Sequence, residues 1–177
     1  MNMKSLVVVV VVVLFLAIGS FTYGGDLVIN IRAVSTEGVG KQIGTITASD
    51  SKWGLLLKPD LSDLPPGLHG FHLHENASCD AAEKDGKMTA AQAAGGHFDP
   101  NQSGKHNGPY EGGHHGDLPA LYVASDGKAT LPVLAPRLKV SELKGHALMI
   151  HAGGDNYSDQ PGPLGGGGGR IACGIAK

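Results

Sequence analysis

Near the start of the chain the apolar positions alternate. Leu27, Ile29, Ile31 and Ala33 are interleaved with Val28, Asn30 and Arg32, the period of two that sends one set of side chains to a core and the other to water. Residues 43–47 and 53–57 read as two further strands, with Ser49-Asp50-Ser51 as the turn between them. After the turn Leu64-Pro65-Pro66-Gly67 comes a strand over 69–75. Later candidates are 121–124, 130–134 after a turn at Asp126-Gly127, 147–152 and 170–175. No segment carries a sustained helical period. About eight short strands without a long helix predict an all-β sandwich or barrel. Trp53, the single tryptophan, is expected to sit in that barrel.

Two stretches break the pattern. Residues 76–118 and 153–169 are long, glycine-rich and without strand periodicity, and loops of such length inside one domain are organised by function or by a crosslink. Glycine totals 28 residues, which suits tight turns and structured loops and disfavours helices, where each interior glycine costs about 1 kcal/mol.

The N-terminus follows a different logic. Lys4 precedes an apolar run from Leu6 to Ile18, followed by Gly19, Ser20, Thr22 and Gly24. A charged start, an apolar stretch and small residues describe a secretory signal peptide, and the run is shorter than the roughly 20 residues that span a bilayer. Residues 1–24 are therefore expected to be cleaved and 25–177 to form one domain, with no membrane attachment afterwards. Loss of Lys4 from the 14 basic residues leaves 13 against 16 acidic ones, a charge of −3. Without a basic run, and with few aromatics, nothing points to nucleic acid. Export permits a disulfide, and Cys79 and Cys173, the two cysteines, allow a single intramolecular pairing.

Six of the nine histidines, with Asp117, carry the chemistry. His72 and His74 sit two apart on a strand, so both face one side and can reach one metal ion. His97, His106, His114 and Asp117 place four N/O donors in the first long loop, a set that suits a closed tetrahedral zinc site. His151 ends the strand at 147–152. His69, His146 and His115 read as ordinary core or surface residues, although His115 adjoins a candidate ligand.

On these motifs the sequence resembles the copper/zinc superoxide dismutase family over residues 26–177. Gly70-Phe71-His72-Leu73-His74-Glu75 is similar to the family's copper-ligand strand. The run from Gly165 to Gly174, with Arg170 and Cys173, is similar to its C-terminal signature. The segments 113–119 and 151–156 resemble its bacterial periplasmic branch. The resemblance implies an eight-stranded Greek-key barrel that dismutates superoxide to dioxygen and hydrogen peroxide, with one copper and one zinc per subunit. It puts copper on His72, His74, His97 and His151, and zinc on His97, His106, His114 and Asp117. His97 would bridge the two ions and carry a proton, and Asp155 would hold one histidine of each metal. His114 is preferred to His115 because the family pattern has the aspartate three positions after the zinc histidine.

Arg170 would attract the superoxide anion, through an always-charged guanidinium. A Cys79–Cys173 bridge would tie the metal loop to the arginine strand, and the 165–169 glycines would form a close-packed turn. Monomer and homodimer both remain open. The rival class, a non-enzymatic copper-binding or delivery protein on the same barrel, would show a damaged zinc set, no bridging histidine or no arginine. None of those losses is visible.

Overall fold

The computed structural model describes residues 25–177; the expected signal peptide, 1–24, lies outside them. A seven-stranded antiparallel sheet curls around the core. Its strands are β1 (Leu27–Ser35), β2 (Gly38–Ser51), β3 (Gly54–Leu61), β5 (Phe71–His74), β9 (Val133–Ala135), β10 (Ala147–His151) and β11 (Arg170–Ile175), in the order β5-β10-β11-β1-β2-β3-β9. A second pair joins β4 (Gly67–His69) to β8 (Leu121–Val123). A hairpin, β6 (Ala82–Lys84) and β7 (Lys87–Thr89), lies within the first long loop. With β4 and β5 taken as one strand interrupted at Gly70, the frame is the eight-stranded Greek-key barrel.

All eight expected strands form, with three differences. The strand expected over 69–75 is broken at Gly70. Its N–H donates to Gly153 O and its carbonyl accepts from His151 N, both at 2.8 Å, so the chain leaves the β8 pairing and enters the β10 pairing there. The turn expected at 49–51 lies at Lys52-Trp53 instead. Ser51 extends β2, and its hydroxyl closes the turn by donating to Gly54 O and accepting from Trp53 N. Trp53 is consequently 67% exposed, with the Lys52 ammonium 4.7 Å above its ring, and is not a residue of the barrel interior. The third difference is the β6–β7 hairpin, in a stretch read as loop.

Alternation explains where the site sits. In β5, Phe71 and Leu73 point into the barrel core with Ile29, Ile31, Ile46, Leu57 and Leu148, while His72 and His74 point to the opposite face. That face is buried too, because the two long loops cover it. Truncation of a side chain such as Phe71 to alanine costs about 3–5 kcal/mol, so the strand that presents the histidines is firmly seated. A smaller apolar cluster, Cys79, Ala91, Ala94, Ala147, Met149 and Cys173, packs beneath the loop on the outer face.

Candidate metal centre

β5 and β10 pair antiparallel with Met149 opposite His72 and Ala147 opposite His74, which brings His151, one residue beyond Ile150, to the same end of the sheet. The first long loop returns over β5. Leu73 N donates to Gly116 O and Phe98 N to Leu73 O, each at 2.8 Å. This approach seats His97 beside His74 and Asp117 beside His72.

Two groups of donor atoms result, each with all its atoms within 4.8 Å of one another: His72, His74, His97 and His151, and His97, His106, His114 and Asp117. His97 belongs to both. In the first group the outer nitrogens are anchored. His72 Nε2 is 2.7 Å from Asp155 Oδ2, His74 Nδ1 is 3.0 Å from Gly95 O, and His151 Nδ1 is 3.1 Å from Gly168 O. The inner atoms, His72 Nδ1, His74 Nε2, His97 Nε2 and His151 Nε2, are buried without a partner. Four converging, unpartnered nitrogens on buried rings are what a metal ion satisfies, since buried polar atoms otherwise find partners.

In the second group three Nδ1 atoms surround one carboxylate oxygen. His97, His106 and His114 approach Asp117 Oδ1 at 3.0, 2.9 and 3.4 Å. Four donors about 2.0 Å from a tetrahedral zinc stand about 3.3 Å apart, so the set fits that ion. Asp155 joins the groups, taking His72 Nε2 on one oxygen and His106 Nε2 on the other, at 2.8 Å. Carboxylates placed so fix ring orientation and tautomer.

Electrostatics agree with this division. Burial lowers His72 to about 3 and His151 to about 4, with neighbouring positive charge adding to the effect, and lowers His74 and His97 as well. Those rings are neutral at pH 7, the form that binds metal. Burial also acts to lower His106, but hydrogen bonds to Asp117 and Asp155 outweigh it and raise the ring to about 9. Burial would raise Asp117 and Asp155; the hydrogen bonds from their histidines win and hold both well below the usual carboxylate range.

The remaining sequence candidates fall as follows. Arg170, half-buried at the start of β11, donates to Ala91 O and Gly95 O, both at 2.6 Å. Gly95 O also faces His74 Nδ1, so the guanidinium and a first-group histidine share one carbonyl. Cys79 and Cys173 are disulfide-bonded, joining residues 94 apart. In the glycine run, Gly165 has φ +72°, and a Cβ there would lie 2.0 Å from Asp155 Oδ1, which gives this close-packed turn a reason to lack side chains. His115 stands outside both groups, its Nε2 3.1 Å from Glu142 Oε1. The His69 ring lies between His151 O and Pro65 O at 2.7 and 2.8 Å, and His146 Nδ1 faces Glu75 O at 2.7 Å. Arg137, which sequence reasoning passed over, donates four hydrogen bonds to carbonyls of the loop carrying His114. An arginine outside any motif gives no sign in one sequence of where its guanidinium ends.

A β-barrel with adjoining four-histidine and three-histidine-one-aspartate groups that have one imidazole in common offers donors for two neighbouring metal ions. The sequence profile of copper/zinc superoxide dismutase (SODC) matches residues 42–176, and the chain belongs to that family. A Cu-Zn superoxide dismutase of Photobacterium leiognathi is 56% identical over 153 residues, 86% of this chain and 87% of the relative. The solved Cu/Zn superoxide dismutase from Brucella abortus superposes with a TM-score of 0.85 at 49% identity, over 86% of this chain and all of that one. The solution structure of the monomeric copper, zinc superoxide dismutase from Salmonella enterica gives 0.78 at 56% identity, with coverage of 86% and 100%.

Proposed function

We propose that the two donor groups divide the work of superoxide dismutation between copper on His72, His74, His97 and His151 and zinc on His97, His106, His114 and Asp117. The observation that carries this assignment is the set of four buried, unpartnered nitrogens adjoining a carboxylate ringed by three Nδ1 atoms, with His97 common to both. Copper supplies one-electron redox chemistry in an imidazole site and zinc, with its filled d shell, a fixed charge without redox.

The protein's own groups do the rest. Arg170 presents a permanent positive charge beside His74, held in place by two backbone carbonyls, and orients the superoxide anion. A positive focus in a net-negative protein raises the on-rate by about 10 to 1,000-fold, a figure for which superoxide dismutase is itself a source. His97 keeps Nδ1 on the Asp117 side, so Nε2 is the atom that takes up a proton and passes it to the departing peroxide. Asp155 keeps His72 and His106 in register while His97 exchanges that proton.

Residues 1–24 are proposed to direct export to the periplasm and to be removed there, and the Cys79–Cys173 bond agrees with an oxidising compartment. N-terminal sequencing of the protein from the periplasmic fraction should begin at Gly25, and sedimentation of that protein decides between monomer and homodimer.

The test of the reaction is dismutation by the purified protein with its metals counted. One copper, one zinc and rapid activity are expected, with R170Q keeping both metals and losing about tenfold or more in rate, less so at high salt. Full metal loading without activity would overturn the reading.

A further inference from the structure

The loop that carries His106 and His114 has no regular secondary structure between residues 99 and 120, so tethers to other elements must decide where its ligands point. His106 is tied to the second long loop, its N–H donating to Asp159 Oδ2 and its Nε2 facing Asp155 Oδ1. The side-chain hydrogen bonds that hold residues 108–115, by contrast, come from one place, the connection from β9 to β10. This connection is itself seated in the barrel. Leu138, Val140 and Leu143 are buried in the core, and Val140 N donates to Asp50 Oδ1 at 2.8 Å. From this base Arg137 reaches the loop. Its Nε donates to Pro109 O at 2.9 Å, Nη1 to Gly113 O at 3.1 Å, and Nη2 to Gly108 O at 3.0 Å and His114 O at 2.6 Å.

Four carbonyls within seven residues thus turn inward on one guanidinium. Left without it, they would repel one another or turn out to water, and the loop could not keep this curvature. The last of them belongs to a metal-group residue. His114 has its carbonyl held by Arg137 and its N–H held by Lys105 O at 2.8 Å, so both of its flanking peptide groups are fixed. The next residue is held by the same connection, through His115 Nε2 and Glu142 Oε1, while Glu142 Oε2 accepts from Lys139 N at 2.9 Å.

We infer that Arg137 is a positioning residue for the zinc site: its guanidinium gathers the carbonyls of Gly108, Pro109, Gly113 and His114 and thereby aims the His114 ring at Asp117. The inference rests on the zinc assignment above. It requires a planar fork with several donors. Lysine, a single charge with three donors on a flexible stem, cannot reach four carbonyls spread around a plane.

The experiment measures zinc affinity of the copper-loaded protein by competition with a chromophoric chelator, for wild type, R137K and R137Q. The visible spectrum of cobalt(II) placed in the same site is recorded alongside. Both variants should bind zinc about 10 to 100-fold more weakly, the usual effect of losing a partner that orients a ligand. Their cobalt spectra should differ from wild type, and their copper content should not. R137K keeps the charge and carries the test if R137Q fails to fold. Folded variants with wild-type zinc affinity and cobalt spectrum, even with lowered melting temperature, would overturn the inference and leave the zinc assignment standing. A wild-type chain that takes up no zinc would overturn the assignment as well.

Discussion

His106 has a carboxylate at each ring nitrogen, Asp117 at 2.9 Å and Asp155 at 2.8 Å, and both carboxylates are held ionised. Without metal the ring is raised to about 9, so at pH 7 it carries two protons, and a zinc ion taking Nδ1 must displace one. Zinc binding at pH 7 should therefore release one proton from His106, and none at a pH well above 9. Calorimetric titration in buffers of different ionisation enthalpy reads this directly, and H106 variants should lose the released proton along with the zinc. Asp155 makes a second prediction at this scale. D155A leaves the donor atoms intact but frees the outer nitrogens of His72 and His106, so metal affinity should fall about 10 to 100-fold, measured by chelator competition. The histidines that the two donor groups bring together were legible in the sequence through spacing and family pattern. The reach of Arg137 was not, because nothing local distinguishes an arginine that folds back on a distant loop from one in water.

The elements that matter most are β5, which carries His72 and His74, and the loop that returns over it. They approach so closely that a Cβ on Gly116 would lie 2.2 Å from Leu73 O and 3.0 Å from Phe98 N. G116A should push the loop off β5, separating His97 from His74 and Asp117 from His72. We expect destabilisation of about 1–3 kcal/mol, the range for overpacking, with weaker binding of both metals, read by denaturant unfolding and metal analysis. The alternation that makes β5 useful, apolar residues in and histidines out, was readable from five residues. Its break at Gly70 was not, since a partner change depends on which strands lie on either side. The same holds for the turn at Lys52-Trp53, where the Ser51 hydroxyl, equally suited to a turn or a strand end, is decided by the Gly54 carbonyl it meets.

Across the whole molecule, the disulfide and the buried histidines decide how stability responds to reduction and to pH. The Cys79–Cys173 bond closes a loop of nearly 100 residues, worth about 4–5 kcal/mol on the chain-entropy account, so C79S/C173S should lower the melting temperature by many degrees and loosen residues 76–96 first, as seen by hydrogen exchange. In the metal-free protein His72 and His151 are held neutral down to about 3 and 4, whereas the unfolded rings protonate near 6.5. The unfolded state then binds more protons below pH 6.5, and stability is lost as pH falls from 6.5 toward 4. His106 acts with the opposite sign, and its contribution fades as pH rises from 6.5 through 9. Calorimetry of the metal-free chain should find its highest melting temperature between these flanks, with the loaded protein far less sensitive over pH 6–9. Sequence by itself determined where the eight barrel strands run and the face that His72 and His74 share on β5, because these depend on near neighbours, and it offered the candidate donors through residue chemistry and family pattern. Tertiary structure alone decided that two loops 35 residues apart close over one sheet face and that the Arg137 guanidinium meets four carbonyls of the loop carrying His114, because each depends on contacts between segments whose separation along the chain carries no trace of their meeting.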